Sequence, residues 1–165
     1  NLWAHDELQE AGYRYSSSIY PIHHDLYGIP NAPRFPFHPL ENDDFLEIPI
    51  TTTDVFGQRL PCGGGGYFRL YPYRLSRWAL RRVNRRDGQP SVFYFHPWEI
   101  DPRQPKQHGL KLKTRFRHYL NLHRTEGRLR LLLRDFQWDR VDRAFPVAAN
   151  AERIADRRMI SSGSE

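Results

Sequence analysis

Residues 91–99 have the sequence Ser91-Val92-Phe93-Tyr94-Phe95-His96-Pro97-Trp98-Glu99. The run from Val92 to Phe95 is apolar, β-prone and too short for a helix, so it predicts a buried strand covered on both faces, as in parallel sheets. Because the run stops at His96-Pro97, His96 is predicted to lie at the carboxyl end of a strand. Sites in α/β sheets and barrels form at that end.

Strand and helix patterns alternate on either side of this run. Strands are predicted at residues 13–20, 45–51, 91–95 and 137–141, with a short extension at 55–60. Helices are predicted at residues 2–11, 72–86 and 115–136, and a long loop with five prolines at 21–39. A Gly-rich turn at 61–66 predicts a close approach of backbone to a neighbouring group. This order predicts an α/β fold with mainly parallel pairing.

Length and composition predict one globular domain with a core, since the chain has 165 residues of which 39% are hydrophobic. There is one cysteine, so no intrachain disulfide framework can form. No apolar run approaches the roughly 20 residues of a membrane span, and the first residues have no signal-peptide pattern. Because the sequence begins with Asn1, we expect a piece of a longer protein.

The charge is basic, +6 at pH 7, and 22 of the 25 basic residues are arginine. Such a balance fits nucleic acid, anionic lipid or an acidic polymer as partner. A set of solvated helix surfaces explains it more simply, and we favour that interpretation. The arginines are spread over the predicted helices without a known nucleic-acid motif, so we expect no nucleic-acid partner.

Several polar residues are candidates for chemistry. His96 at a strand end can act as a general acid or base, with Glu99 to orient it, or can simply cap the strand. The hydroxyls of residues 16–18 can bind a polar ligand or satisfy backbone at a turn. Neighbouring residues on an extended chain point in opposite directions, so His23-His24-Asp25 predicts no metal site. Gly63 to Gly66 lacks the ending of a phosphate loop.

Longer motifs carry a resemblance that covers residues 1 to about 145. These are Gly12-Tyr13-Arg14-Tyr15-Ser16-Ser17-Ser18-Ile19-Tyr20-Pro21-Ile22, His24-Asp25-Leu26-Tyr27-Gly28-Ile29-Pro30, Ala32-Pro33-Arg34-Phe35-Pro36, Leu60-Pro61-Cys62-Gly63-Gly64-Gly65-Gly66-Tyr67-Phe68-Arg69 and Phe93-Tyr94-Phe95-His96-Pro97-Trp98-Glu99-Ile100-Asp101-Pro102. They resemble the NodB-type polysaccharide deacetylases, in the subfamily associated with exosortase and exopolysaccharide gene clusters.

The resemblance implies a partial irregular (β/α) barrel with its first strands missing. Residues 1–146 would form the C-terminal part of the deacetylase domain, including a helical extension at about 103–146, and 147–165 a disordered tail. In this family a divalent metal, often zinc, is held by one Asp and two His and polarises the acetamide carbonyl of an N-acetyl sugar. A histidine on a late strand protonates the leaving amine.

The catalytic role carries over to His96, and the matching flanks favour catalysis over a capping role. The residues that the resemblance assigns to the polysaccharide substrate are Ser16, Ser17, Tyr20, His24, Asp25, Arg34, Trp98 and Glu99. Many family members have Asp at the position of Ser16, where it tunes the histidine. Ser16 cannot supply that charge, so Glu99 or Asp25 would have to take its part.

The metal-binding segments of the family have no counterpart in this sequence, so the chain alone is expected to hold no metal and to hydrolyse nothing. Exposed strand edges of a partial barrel predict self-association. A bacterial protein of the cytoplasm or periplasm is expected. Two other hypotheses remain: a non-catalytic polysaccharide-binding relative, and a nucleic-acid-binding domain.

Overall fold

The computed structural model describes residues 2–40 and 45–145, and over these ranges the fold is mixed α/β. The elements follow in the order α1 (Ala4–Glu10), β1 (Tyr15–Ser16), β2 (Leu46–Glu47), β3 (Thr52–Val55), β4 (Gln58–Pro61), α2 (Gly65–Leu70), α3 (Tyr73–Arg82), α4 (Leu112–Tyr119), α5 (Leu122–Asp135) and α6 (Val141–Ala144). A π-helical turn, Val83–Asp87, continues α3, and a 3-10 turn covers Pro97–Ile100. The predicted tail at 147–165 lies outside the described residues.

The strands form two small sheets. β1 and β2 pair in parallel, with Tyr15 opposite Leu46 and Ser16 opposite Glu47. β3 and β4 form an antiparallel hairpin. Its turn is Phe56-Gly57, both with positive φ (49° and 77°). In the described part of the chain these sheets do not close into a barrel.

The strand predicted at 91–95 is reduced to one isolated parallel bridge between Gly64 and Tyr94. The prediction that it is buried on both faces is wrong, because its side chains are only partly buried and Phe95 is 37% exposed. Among the described residues it pairs on one side alone, with the segment before α2, so its other edge is uncovered.

The helix predicted at 72–86 is confirmed by α3 and its π-helical continuation. The single helix predicted at 115–136 is two helices, α4 and α5, separated at Asn121, whose φ is +53°. Asparagine is among the few residues that adopt this left-handed conformation readily. Residues 137–141 form no strand and lead instead into α6.

The core consists of packed apolar side chains from distant parts of the chain. One cluster contains Cys62, Phe68, Ala79, Leu80 and Leu132, so α5 packs on α2 and α3. A second cluster joins Leu46 and Ile48 to Phe145, and a third joins Tyr20, Ile22 and Ile50. No helix of the described residues is long and apolar enough to cross a membrane.

Glu47 fixes the chain that follows β1. Its side chain is fully buried and accepts hydrogen bonds from the backbone amides of Ser18 (2.8 Å) and Ile19 (2.7 Å). Ser16 Oγ and Ser18 Oγ also donate to it, and His5 Nε2 lies 3.2 Å away. A buried carboxylate needs such partners, and here they hold residues 16–19 in one conformation.

Candidate functional site

A cleft of about 600 Å³ opens beside the segment that ends in His96. Its lining residues come from the turn after β1, the long loop, the entry to β3 and residues 92–96: Ser17, Ser18, Tyr20, Tyr27, Gly28, Ile50, Val92, Tyr94 and His96. Three residues predicted from the sequence, Ser17, Tyr20 and His96, therefore line one cleft. It contains neither arginine nor lysine among these residues.

Thr51 and Gly63 position the wall that carries His96. The Thr51 carbonyl accepts hydrogen bonds from the amides of Cys62 (3.2 Å) and Gly63 (2.9 Å), and Thr51 Oγ1 accepts from Val92 N (2.6 Å). A Cβ on Gly63 would lie 2.5 Å from the Val92 carbonyl oxygen, so only glycine fits there. This confirms the prediction that the Gly-rich turn allows close backbone approach.

The same wall shows the two-residue period of extended chain. Val92, Tyr94 and His96 are spaced at i, i+2 and i+4, and all three line the cleft. Alternate residues of an extended segment point to one face. This spacing is a signal in the sequence that could have identified Tyr94 as a site residue.

Four tyrosines, Tyr20, Tyr27, Tyr67 and Tyr94, form what we call the tyrosine cluster. The Tyr20 ring lies 6.3 Å from Tyr27, stacked, and makes edge contacts with Tyr67 and Tyr94 at 6.3 and 6.4 Å. Burial raises the pKa of all four phenols, so they stay protonated at neutral pH. Three of them, Tyr20, Tyr27 and Tyr94, line the cleft.

The Tyr20 hydroxyl has an unusual position. The residue is 5% exposed, yet its oxygen is buried without a hydrogen-bond partner among the described residues. A buried hydroxyl that lacks a partner costs free energy, on the order of 1–3 kcal/mol. Tyr20 lines the cleft, but its oxygen is shielded there, so a ligand reaches it only when a neighbouring side chain moves.

His96 is exposed, and aromatic rings hold its imidazole. The ring stacks on Trp98 at 5.9 Å and meets the edge of Tyr94 at 5.9 Å. Trp98 in turn stacks on His118 at 4.3 Å. Within the described residues, no side chain hydrogen-bonds to the imidazole of His96.

Glu99 contacts the backbone of His96 rather than its ring. Glu99 Oε1 accepts a hydrogen bond from the His96 amide at 3.3 Å, and Glu99 Oε2 accepts from Arg69 Nε at 2.9 Å. Arg69 also donates to the carbonyls of His118 and Leu120 and lies over the Trp98 ring. Glu99 thus fixes the turn that presents His96.

Asp25 lies on the long loop and is paired with α4. Its carboxylate contacts Lys113 Nζ at 2.6 Å and Arg117 Nη2 at 3.0 Å, and these cations hold its pKa well below the usual range. His24 stacks on Tyr27 at 3.9 Å, and burial lowers its pKa. Neither Asp25 nor His24 lines the cleft, although Tyr27 connects His24 to it.

Two other predicted residues face away from the cleft. The Ser16 hydroxyl donates to Glu47. Arg34 pairs with Asp54 at 2.8 Å and Asp87 at 2.9 Å, and so joins the loop to β3 and to the end of the π-helical turn. The structure therefore brings His96, Ser17 and Tyr20 together, with Trp98 and Glu99 supporting the His96 turn.

The described residues contain no group of three or more His, Cys, Asp or Glu side chains that could hold a metal ion. His24 and Asp25 are 3.2 Å apart, but Lys113 and Arg117 occupy the same carboxylate. These residues therefore do not fit the one-Asp, two-His set of the deacetylases.

Comparison with protein families adds one finding. The model of a family described as a domain of unknown function, DUF3473, matches residues 17–146. The chain belongs to the DUF3473 family. The match includes every cleft residue and extends through α6. Neither the curated proteins nor the solved structures yield a match to this DUF3473 chain, and the family's description assigns no activity.

Glu47 and Arg69 are the main residues that sequence reasoning missed. Glu47 lies between Leu46 and Ile48, and all three are buried, which an alternating strand would not predict. Arg69 follows Phe68 in a helix that the preceding glycines obscured, since glycine disfavours helix. Nothing local in the sequence distinguishes either residue from a solvated charge.

Proposed function

We propose that this chain is the part of a polysaccharide N-deacetylase that carries the general acid, and that His96 is that acid. The observation that carries the proposal is a cleft lined both by the exposed His96 and by Tyr20, whose buried hydroxyl lacks a hydrogen-bond partner among the described residues. The proposal also draws on the sequence resemblance to the NodB-type deacetylases. The substrate class is a polysaccharide with N-acetyl sugars.

The chemistry asked of His96 is a single proton transfer. In hydrolysis of an acetamide, the C–N bond breaks, water adds to the acetyl carbon, and acetate is released. The nitrogen needs a proton to leave as an amine, and a protonated imidazole is suited to donate it near neutral pH. The stacking on Trp98 at 5.9 Å supports this role, because it restricts the ring's orientation.

The tyrosine cluster suits a sugar ligand. Aromatic rings offer flat apolar faces, and phenol hydroxyls offer hydrogen bonds beside them. Tyr20 has both features in one residue, with its hydroxyl lacking a partner. Ser17 and Ser18 add short hydroxyls on the same cleft. We therefore propose that Tyr20 donates a hydrogen bond to an oxygen of the bound sugar.

The divalent metal of the deacetylases, often zinc, would have to be held by residues outside this sequence. The described residues do not fit such a metal ion. The chain would then depend on the metal-binding segments of a longer protein for hydrolysis. The parallel β1–β2 pair and the Gly64–Tyr94 bridge are compatible with part of an irregular barrel. Their open edges would meet the missing strands or another copy of the chain.

A second candidate is a non-catalytic polysaccharide-binding relative. One observation favours it: among the described residues, His96 lacks a carboxylate partner on its imidazole, whereas the deacetylase family uses an Asp at the position of Ser16. In that case the cleft would bind polysaccharide without turning it over.

The test is deacetylation of an N-acetylated polysaccharide by the full-length protein and by its His96→Ala and His96→Gln variants. General acid catalysis contributes roughly 10²- to 10⁴-fold, so we expect kcat to fall by that factor with little change in KM. His108→Ala is the matched control, since His108 is exposed on a loop outside the cleft. Its kcat should match that of the wild type.

Two outcomes would count against the proposal. Near-wild-type kcat in His96→Ala removes the general-acid role. A full-length protein that binds the polysaccharide but releases no acetate favours the binding relative. Tyr20→Phe tests ligand binding by Tyr20 separately from proton transfer by His96. It should raise KM or Kd while leaving the pH dependence of kcat unchanged.

A further inference from the structure

A groove of about 440 Å³ runs along α3 and its π-helical continuation, away from the cleft. We call it the arginine groove, and it is lined by Arg74, Arg77, Trp78, Arg81, Arg82, Arg85 and Arg86. Arg74, Arg77, Arg81 and Arg85 follow the i, i+3, i+4 spacing that places residues on one helix face. At 1.5 Å per residue, the row from Arg74 to Arg85 is about 16 Å long.

Four arginines elsewhere in the domain serve the fold. Arg69 forms the buried pair with Glu99, and Arg34 pairs with two aspartates. Arg128 donates to the carbonyls at the end of α2, and Arg59 to those of Pro30 and Ala32. These arginines are held by partners inside the fold, whereas most arginines of α4, α5 and α6 are exposed.

Several arginines of the groove have no such internal role. Arg74, Arg85 and Arg86 are exposed and make no hydrogen bond or ion pair within the described residues. Arg77 pairs with Asp135 at 2.9 Å, and Arg82 donates to the Asp54 carbonyl and lies over the Trp78 ring. No acidic residue lines the groove. Its charge is therefore available to an anionic ligand.

The chemistry of the groove fits carboxylates on an extended polymer. A guanidinium binds a carboxylate through two parallel hydrogen bonds, and arginine is the usual residue for this geometry. Guanidinium groups repeated along about 16 Å of helix suit a ligand with repeated charges. Trp78 is 43% exposed and adds a flat apolar surface to the groove.

We propose that the arginine groove binds the carboxylates of an acidic polysaccharide. The choice of a sugar polymer rests on the proposed function. The cleft has no arginine or lysine in its lining, which suits neutral N-acetyl sugars, whereas the groove suits uronate-like sugars. A polymer that carries both kinds of sugar would be retained by the groove while other units reach the cleft. A nucleic acid would use the groove alone.

The test measures Kd for the intact chain with three probes: polygalacturonate, neutral dextran of similar length, and a single-stranded DNA oligonucleotide. We expect polygalacturonate to bind at low salt, to weaken at high salt and to bind more tightly than DNA at equal charge concentration, with no binding of dextran. The variant R74Q/R81Q/R85Q removes three positive charges from the groove. Exposed charge contacts are individually weak, so we expect about a tenfold loss of affinity.

The matched control is R115Q/R124Q/R130Q, which removes three exposed arginines from α4 and α5. It lowers the net charge equally and should keep wild-type affinity. Equal losses in both variants would attribute binding to overall charge and overturn the proposal. So would tighter binding of DNA, or no binding at low salt. Circular dichroism of each variant establishes that it is folded.

Failure of this inference is distinguishable from failure of the proposed function. In the full-length protein, the groove variant should leave turnover of a short, uncharged N-acetylated oligosaccharide unchanged. His96→Ala should abolish that turnover while leaving polygalacturonate binding at the wild-type level. A variant that lacks its expected loss therefore identifies which site is wrongly assigned.

Discussion

The guanidinium of Arg69 and the carboxylate of Glu99 form a buried ion pair at 2.9 Å, with each side chain only 3% exposed. Arg69 lies in α2, and Glu99 lies in the turn that follows His96. The pair therefore ties the Gly-rich segment to the candidate catalytic turn. Three further hydrogen bonds extend the pair: Arg69 donates to two carbonyls, and Glu99 accepts from the His96 amide.

Breaking this pair should destabilise the domain strongly. Glu99→Gln or Arg69→Gln leaves one buried charge without its partner, which costs about 3–5 kcal/mol. Urea denaturation should show a lower midpoint in either variant. Arg130→Gln is the control, because Arg130 and Glu126 form an exposed i,i+4 pair. That change should lower the free energy of unfolding by less than about 1 kcal/mol. Similar losses in all three variants would contradict the larger contribution expected of the buried pair.

Gly65 should not tolerate a side chain, whereas its neighbour Gly66 should. A Cβ on Gly65 would lie 2.2 Å from Glu99 Oε2, and one on Gly66 would meet nothing within 4 Å. Gly65→Ala forces the ion pair to shift, so we expect a loss of about 1–3 kcal/mol in the free energy of unfolding. Gly66→Ala lies in α2 and should be neutral or stabilising by up to about 1 kcal/mol. Equal stability of the two alanine variants would be inconsistent with this packing.

The pairing of Asp25 with α4 should depend on pH. Lys113 and Arg117 depress the pKa of Asp25 in the folded state, so the pairing stabilises the fold above the ordinary carboxyl range and is lost as pH falls through the depressed pKa. Asp25→Asn should therefore lower stability at neutral pH and make no difference in strong acid. NMR titration of the carboxyl carbon measures the shift directly.

The control for this pairing is the variant K113Q/R117Q, in which the carboxyl of Asp25 should titrate in its ordinary range. Lys111→Gln removes a neighbouring charge that has no partner among the described residues, and it should leave the titration of Asp25 unchanged. High salt should weaken the pairing, because the three side chains are exposed. A carboxyl that titrates normally in the wild type would disprove the contact.

Cys62 should be inert in the folded chain. It is 2% exposed, and burial raises the pKa of its thiol from 9.0 to about 12. Since the thiolate is the reactive form, we expect alkylation by iodoacetamide near pH 8 to be slower by about a thousandfold than in urea. The variant C62S/S17C moves the thiol to an exposed position on the cleft and should react quickly without denaturant. Fast labelling of wild-type Cys62 in the folded chain would contradict its burial.

The parts of the fold that follow local patterns were predictable. The stripe of Leu75, Trp78, Ala79 and Val83 predicts α3, since periodicity is a local property, although Trp78 is 43% exposed. The burial of Glu47 was not predictable, because the four residues that contact its carboxylate are distant in sequence. The lengths of the strands were not predictable either. Apolar runs such as 91–95 indicate burial, but whether a run becomes a strand depends on neighbours that the run does not contain.

The candidate site was also predictable only in part. His96 follows from its place after an apolar run, and its position on the cleft agrees with that. The tuning partner proposed for it did not follow from sequence, because Glu99 lies three residues away along the chain and yet turns toward Arg69. Asp25 is likewise drawn to cations of α4 that lie about ninety residues later.

Arg128 of α5 donates from one guanidinium nitrogen to the carbonyls of Phe68, Arg69 and Tyr71, where α2 ends. Leu132, one turn further along α5, is fully buried against Phe68 and Leu80. α5 thus belongs to the same core as the Gly-rich segment. Any rearrangement of the gene that separates α5 from the preceding chain would leave two pieces with incomplete interiors.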